Sequence, residues 1–147
     1  MLTRLLDRIR IRNAREQDGQ PVTVLAAAIL LLEVAWADHD ISDEEIAILR
    51  SALTTQFELD GTTLDALIEE SRQAQAQSVG VQPYTQAINE SWNEQERFEL
   101  VVNLWRLAYA GAGVDPLEEH TIRRIADLLY LSHRRFIEAK FLARQSA

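Results

Sequence analysis

The sequence predicts a single all-α domain, and two observations favour that fold class. Apolar residues recur at spacings of three and four along most of the chain, which is the period of an amphipathic helix. No stretch combines sustained alternation of apolar and polar residues with β-branched enrichment, so no strand is predicted. A third observation concerns architecture, because a helix–corner–helix–helix pattern occurs twice. We therefore expect a helical array or bundle of about seven or eight helices built from a duplicated unit.

The duplication is clearest at the two corners between helices. At an offset of 73 in the numbering, three pairs fall in register: Trp36 with Tyr109, Ile41 with Val114, and Glu45 with Glu118. Beyond the corners the offset becomes 72, because residues 57–60 match residues 129–132. The first copy spans about residues 24–77 and the second about residues 97–144. We expect a pseudo-twofold axis to relate the two copies.

Composition restricts the function. The 147 residues are 47% hydrophobic and 26% charged, which is typical of one soluble globular domain. The absence of cysteine excludes disulfides, thiolate zinc sites and cysteine nucleophiles. The net charge of −8 argues against nucleic-acid binding, which requires a basic surface. The longest apolar run, residues 24–32, is far shorter than the roughly 20 residues of a transmembrane helix, and no signal peptide is evident, so we expect a cytoplasmic protein.

Charge is unevenly distributed along the chain. The net charge is +3 over residues 1–16, −10 over residues 33–70 and +4 over residues 123–147. An acidic middle between basic ends suits a cation site or a charged partner. Solvated helix faces would give the same distribution, so both interpretations stay open.

Residues 1–20 are predicted to form a basic amphipathic arm ahead of the helical domain, which spans residues 21–147. Four apolar residues share one face of a helix over residues 2–16, with most of the arginines away from that face. The four are Leu2, Leu5, Leu6 and Ile9. Such a helix suits contact with a membrane surface, docking to a partner, or packing on the bundle as its first helix. A mobile arm is the remaining alternative.

Within the helical domain, caps and apolar stripes predict the helix positions. Residues 22–37 are apolar almost all round and predict a helix at the centre of the domain. Residues 71–80, rich in Gln, Ala and Ser, predict a fraying helix end and a hinge between the halves. The other helices are predicted to start at or after Ser42, Asp60, Pro83, Asn93, Asp115 and Ser132. Their inward-facing residues are predicted to include Leu49, Leu53, Leu64, Leu67, Ile88, Val102, Trp105, Ile122, Ile125, Phe136, Ala139 and Leu142.

The two corners also carry a family resemblance. The first reads Ala37-Asp38-His39-Asp40-Ile41-Ser42 with Glu45, and the second lies between the flanks 104–110 and 115–129. These residues resemble the tellurite-resistance protein B (TerB)-like family, whose repeats carry a small residue, Asp, Gly, a variable residue, an aliphatic residue, Ser or Asp, and a Glu three positions later. The likeness covers roughly residues 24–143. The sequence departs from the pattern at His39, where Gly is usual, and at residues 111–113, where the leading acid is missing.

The resemblance implies an all-helical bacterial protein linked to tellurite and stress resistance, with a divalent metal held by the acidic corners. The residues support that idea most directly at the first corner. Its oxygen donors stand at alternate positions and then one helical turn on: Asp38, Asp40, Ser42 and Glu45. Such a set suits a hard cation, Ca²⁺, Mg²⁺ or Mn²⁺, better than Zn²⁺. The candidate metal ligands at the second corner are Asp115 and Glu118.

The first corner is not predicted to be an EF-hand, because Asp43 and Leu49 stand where that loop requires Gly and a bidentate Glu. We expect any bound cation to be confined to the first corner. Only that corner has acids ahead of the helix start, and five carboxylates between Asp38 and Glu45 repel one another unless solvent or a cation relieves them.

A purely structural interpretation of both corners stays open. Ser42 with Glu45 forms the pattern of a capping box, which stabilises a helix start by ~1 kcal/mol without metal. Asp115 with Glu118 forms the same pattern, with Pro116 at the first helical position. The two capping boxes are expected to stabilise their helix starts equally.

No residue pattern predicts catalysis, since the chain has neither a nucleophile elbow nor a glycine-rich phosphate loop. The leading hypothesis is therefore a cytoplasmic, non-catalytic TerB-like protein with a divalent cation at the first corner. The alternative is a helical interaction module without metal. Its basic arm and acidic middle would bind other proteins, a second copy of the chain included, or a membrane surface through residues 1–16.

Overall fold

The computed structural model describes residues 20–35, 42–57, 59–77, 80–110 and 114–145. These residues form seven helices and no strand, so the predicted all-α fold class is confirmed. The helices are α1 (Gln20–Ala35), α2 (Asp43–Phe57), α3 (Gly61–Gln77), α4 (Gln82–Ser91), α5 (Glu94–Tyr109), α6 (Pro116–Leu128) and α7 (His133–Gln145). The basic helix predicted over residues 2–16 lies outside the described residues.

Helix α1 is the centre of the fold. Its side chains from Thr23 to Ala35 are buried, except that of Glu33, which is half-buried. The helix packs against α2, α3, α4, α5 and α6, so neighbours cover it on every side. Burial explains why its sequence is apolar all round, since each large aliphatic side chain removed from water contributes about 1.5–3 kcal/mol. The predicted central helix is confirmed.

Helix α5 is the second centre, and Trp105 anchors it. The indole is fully buried, with its ring centroid 5.4 Å from that of Phe136 and 6.0 Å from that of Tyr109. The Nζ atom of Lys140 lies 5.1 Å from the centroid of the same ring. Phe136 and Lys140 both belong to α7, which makes the most extensive contact with α5. Aromatic packing therefore holds the last helix onto the domain.

Arg135 ties the start of α7 to the start of α5. Its guanidinium donates to both carboxylate oxygens of Glu94, at 2.9 and 3.1 Å, and to Gln95 Oε1 at 2.8 Å. It also donates to Glu138 at 2.8 Å and lies 3.5 Å above the centroid of the Phe98 ring. The hydrogen bond from Arg135 lowers the pKa of Glu94, and the same bond raises the pKa of Arg135. The pair therefore favours the charged form of both groups.

The predicted caps are present at other helix starts. The amide of Thr63 donates to Asp60 Oδ1 at 2.8 Å, and an amide of α7 donates to Ser132 Oγ at 3.2 Å. Asn93 and Glu96 form a reciprocal capping box, with bonds of 2.8 and 2.9 Å. These bonds satisfy amides that have no partner within their own helix, so local sequence determines where the helices begin.

The helix starts follow the offsets read from the sequence. The first residues of α2 and α6 differ by the offset of 73, and those of α3 and α7 by the offset of 72. Agreement of helix boundaries does not establish that the two units superpose, so the duplication stays a prediction. Helix α3 continues to Gln77, with Ser71 and Ala74 buried, so it does not fray early in the 71–80 stretch. The predicted hinge there also stays a prediction.

Two features of the second half differ from the sequence patterns. The apolar stripe predicts that Leu142 faces inward, but it is 43% exposed, and Ala143 is buried instead. With Phe136 and Ala139, Ala143 completes a stripe in which small residues let α7 approach α5 closely. Tyr130 ends α6 in the left-handed region, at a φ of 59°, where Gly is usual, and its side chain is 79% exposed.

Among the described helices, none is both long enough and apolar enough to cross a membrane.

Candidate functional site

The described part of the first corner is the start of α2. The amide of Ser42 donates to Glu45 Oε1 at 3.1 Å, and the amide of Glu45 donates to Ser42 Oγ at 3.1 Å. Glu45 is only 5% exposed, whereas Asp43 and Glu44 in the same first turn are exposed. The acids stand at the positive end of the helix dipole, where negatively charged side chains stabilise a helix start. The predicted capping box of the first corner is confirmed.

The second corner begins α6 with the same device. The amide of Asp115 donates to Glu118 Oε1 at 3.1 Å, and Asp115 in turn accepts from the helix, including the Leu117 amide at 2.7 Å. Pro116 occupies the first helical turn, where its missing N–H has no cost. Glu118 is 4% exposed, close to the value for Glu45. Both corners therefore place a buried carboxylate one turn into the helix and use it as a cap.

The capping bonds hold the side chains that the sequence named as metal ligands. Ser42 Oγ and Glu45 Oε1 each accept an amide hydrogen. Both atoms are oxygen donors, the type that Ca²⁺ and Mg²⁺ take. The donor set thus fits a hard cation chemically. Capping and metal binding do not exclude each other here.

The structure describes four of the six predicted metal ligands: Ser42, Glu45, Asp115 and Glu118. The other two, Asp38 and Asp40, lie outside the described residues. Within the described ranges, no three His, Asp or Glu side chains come close enough together to hold a metal ion. A site at the first corner would need the two aspartates, so the predicted metal set stays a prediction. A role for Asp115 and Glu118 in metal binding likewise stays a prediction.

A groove between α2 and α5 was not anticipated from the sequence. It has a volume of about 900 Å³, and residues from the last turns of α7 also line it. Its residues are, on α2, Ile48, Ser51, Ala52 and Thr55; on α5, Gln95, Phe98, Glu99, Val102, Asn103 and Arg106; and on α7, Leu142 and Gln145. The sequence signal was a stripe at spacings of three and four on both helices. Sequence reasoning assigned Val102 and Leu142 to the core and overlooked the gap between the helices.

The outer face of α7 is the second feature that the sequence reasoning missed. Ile137 and Phe141, four positions apart, are 37% and 55% exposed. Arg134 and Arg144 flank them on the same exposed side, and the Arg144 Cζ atom lies 5.6 Å from the centroid of the Phe141 ring. Their spacing in the sequence, 134, 137, 141 and 144, was the available signal. An exposed apolar pair between arginines is suited to contact with an acidic surface.

The chain matches one family model, described as Tellurite resistance protein TerB, over residues 24–141. That match covers most of α1, all of α2 to α6 and most of α7, so both corners lie within it. No curated protein and no solved structure shows a significant match to the chain.

Proposed function

Because the chain belongs to the tellurite resistance protein TerB family, we propose that it is a non-catalytic helical protein of tellurite or stress resistance that holds a divalent cation at its first corner. The family match over most of the chain is the observation that carries the resistance role. The cation is a finer proposal, and it depends on the residues of the corner itself.

The cation proposal is supported by the way charge is concentrated at the first corner. Glu45 is buried and fixed by its bonds with Ser42, while Asp43 and Glu44 lie on the exposed side of the same turn. Asp38 and Asp40 precede them in the sequence, which brings five carboxylates into eight residues. A buried carboxylate among like charges is stabilised in its ionised form by a nearby cation.

Calorimetric titration of metal-stripped protein with Ca²⁺, Mg²⁺, Mn²⁺ and Zn²⁺ tests the cation proposal. We expect saturable binding of a hard cation to the native chain, loss of that binding in Asp38→Ala, and retention in the matched second-corner variant Glu118→Gln. Equal binding by Asp38→Ala, or no heat at millimolar metal, would remove the cation from the proposal.

A second candidate function is favoured by the exposed face of α7. In that alternative the corners serve only as caps, and the protein acts by binding a second copy of itself. The face of Ile137 and Phe141 with flanking arginines belongs to a segment with a balance of +4, and residues 33–70 of another copy offer a balance of −10. Charge complementarity of this kind steers association and weakens with salt.

Sedimentation velocity at low and high salt distinguishes this alternative. If the protein dimerises in this way, the dimer should persist in the presence of a chelator and dissociate at high salt. The Phe141→Glu variant should be monomeric, whereas the control variant Glu90→Gln, at an exposed position on α4, should still dimerise. A monomer under every condition would contradict it. If the monomer binds anionic vesicles and Phe141→Glu abolishes that binding, the partner of this face is a membrane surface and not a second copy.

A further inference from the structure

The α2–α5 groove combines buried apolar residues with exposed charged ones. Its walls are two helices in contact with each other, and its lining includes Ala52, Phe98 and Val102, all buried. Leu142 of α7 also lines the groove, and its large apolar side chain is 43% exposed. Covering exposed apolar area beside a groove stabilises a complex. This surface is therefore suited to contact with another protein.

The charged residues of the groove follow a simple order along α5. Among the described residues, Glu99 and Arg106 are the two charged members of the lining, and both are exposed. They stand seven positions apart, which places them on the same face of the helix, about 10 Å from each other along its axis. Val102 and Asn103 lie midway between them and are buried. The groove thus has an acid on one side of an uncharged centre, a base on the other, and no net charge.

This order of charges is complementary to itself across a twofold axis. When two copies of α5 run antiparallel with the axis midway between the charges, Glu99 of each copy faces Arg106 of the other. A uniformly basic or acidic partner would meet like charge at one end of the groove, whereas a second copy meets opposite charge at both ends. We propose that the groove is the contact surface of a symmetric homodimer in which two Glu99–Arg106 pairs flank the axis.

The apolar and charged residues have different roles in this dimer. Exposed ion pairs add little affinity, but they select the partner and its orientation. The affinity comes mainly from apolar area that the second copy covers, at Leu142 and at the half-buried Ile48. Arg106 donates to Asn103 Oδ1 at 3.3 Å, and this bond holds the guanidinium on the face of α5 that lines the groove.

Charge reversal, followed by sedimentation velocity, tests the proposal. The native chain should dimerise, and Glu99→Arg should be monomeric at the same concentration, because both pairs of the dimer then contain like charges. Arg106→Glu should be monomeric for the same reason. The control Glu90→Arg makes the same change of charge at an exposed position of α4, a helix that does not line the groove, and should still dimerise.

Mixing the two monomeric variants gives the most specific outcome. In a complex of Glu99→Arg with Arg106→Glu, positions 99 and 106 again carry opposite charges in both pairs, so an equimolar mixture should dimerise. The chain with both substitutions should also dimerise with itself. A dimer formed through the outer face of α7 has no reason to show this recovery.

Three outcomes would overturn the proposal: a monomeric native chain, a Glu99→Arg variant that dimerises as the native chain does, or a mixture of folded variants that stays monomeric. A dimer that is lost in Phe141→Glu but kept in Glu99→Arg would assign the contact to the outer face of α7 instead. Circular dichroism checks that each variant is folded. If Arg106→Glu does not fold, the comparison of Glu99→Arg with Glu90→Arg decides the test alone.

Discussion

The two corners begin their helices in the same way and differ in what precedes the cap. Each uses a serine or aspartate and a buried glutamate three positions later, joined by reciprocal hydrogen bonds. Only the first has acids before that pair, at Asp38 and Asp40, whereas the second has Gly111-Ala112-Gly113. A helix start needs only the pair. The additional acids of the first corner therefore require a reason other than capping.

The largest expected effects test whether the helices after the two corners are equivalent in energy. Leu49 in α2 and Ile122 in α6 are equivalent at the offset of 73, and both are almost fully buried. We expect Leu49→Ala and Ile122→Ala each to lower the free energy of unfolding by about 2–5 kcal/mol, because each leaves a cavity. Urea unfolding gives both values. If the free energy of unfolding of one variant is almost unchanged, the two helices contribute unequally to stability and are not equivalent.

The caps themselves should have smaller and similar effects. Ser42→Ala and Asp115→Ala each remove the side chain that accepts the helix amides, and each should cost ~1 kcal/mol. The measurement is the same unfolding experiment with metal removed by chelator. As a control, Thr54→Ala changes an exposed residue within α2 and should be close to neutral. A loss confined to one corner would show that the two caps are not equivalent.

Local sequence predicted much of the fold, because the caps and the helical periods involve residues close together in the chain. Ser42, Asp60, Asn93 and Asp115 mark helix starts through bonds that span two or three positions. The errors concern contacts between distant segments. The exposure of Leu142 and the α2–α5 groove depend on how α2, α5 and α7 pack together, which a helical period does not specify.

The candidate site was predicted only as far as its cap. Ser42 and Glu45 are three positions apart, so local hydrogen bonds alone are enough to form their capping box. The ion pair of Arg135 with Glu94 joins two distant parts of the chain, and no local pattern announces it. Glu94 and Arg135 could each be predicted as charged surface residues, but the contact between them depends on how α7 packs against α5.

That ion pair provides a further difference between the halves. The residues 73 positions before Glu94 and 72 positions before Arg135 are Pro21 and Thr63, which carry no charge, so the first half has no counterpart of this pair. Because Arg135 lowers the pKa of Glu94, the folded state holds a proton on Glu94 less tightly than the unfolded state does. The stabilisation is complete above the ordinary pKa of 4.5 and is lost as the pH falls through the lower folded pKa.

We therefore expect Glu94→Gln to be less stable than the native chain at pH 7 by about 0.2–1 kcal/mol, the range for a partly exposed pair. The difference should shrink at an acidic second pH, because the native glutamate takes up a proton as the pH falls through its lowered folded pKa. Urea unfolding of both chains at the two pH values measures it. A difference that grows in acid would contradict the assigned direction of the pKa shift.

The most direct test of a cation at the first corner compares melting temperatures with and without metal. Asp38→Asn/Asp40→Asn removes the acids that only the first corner has, and Glu118→Gln alters the cap of the second. For the native chain and for Glu118→Gln, we expect the Tm to rise with the concentration of a divalent cation, because binding to the folded state stabilises it. The double variant should melt higher than the native chain without metal, since repulsion is relieved, and should gain nothing when metal is added. If the native chain shows no metal-dependent change in Tm, or if the double variant responds as the native chain does, the first corner does not bind a cation through these acids.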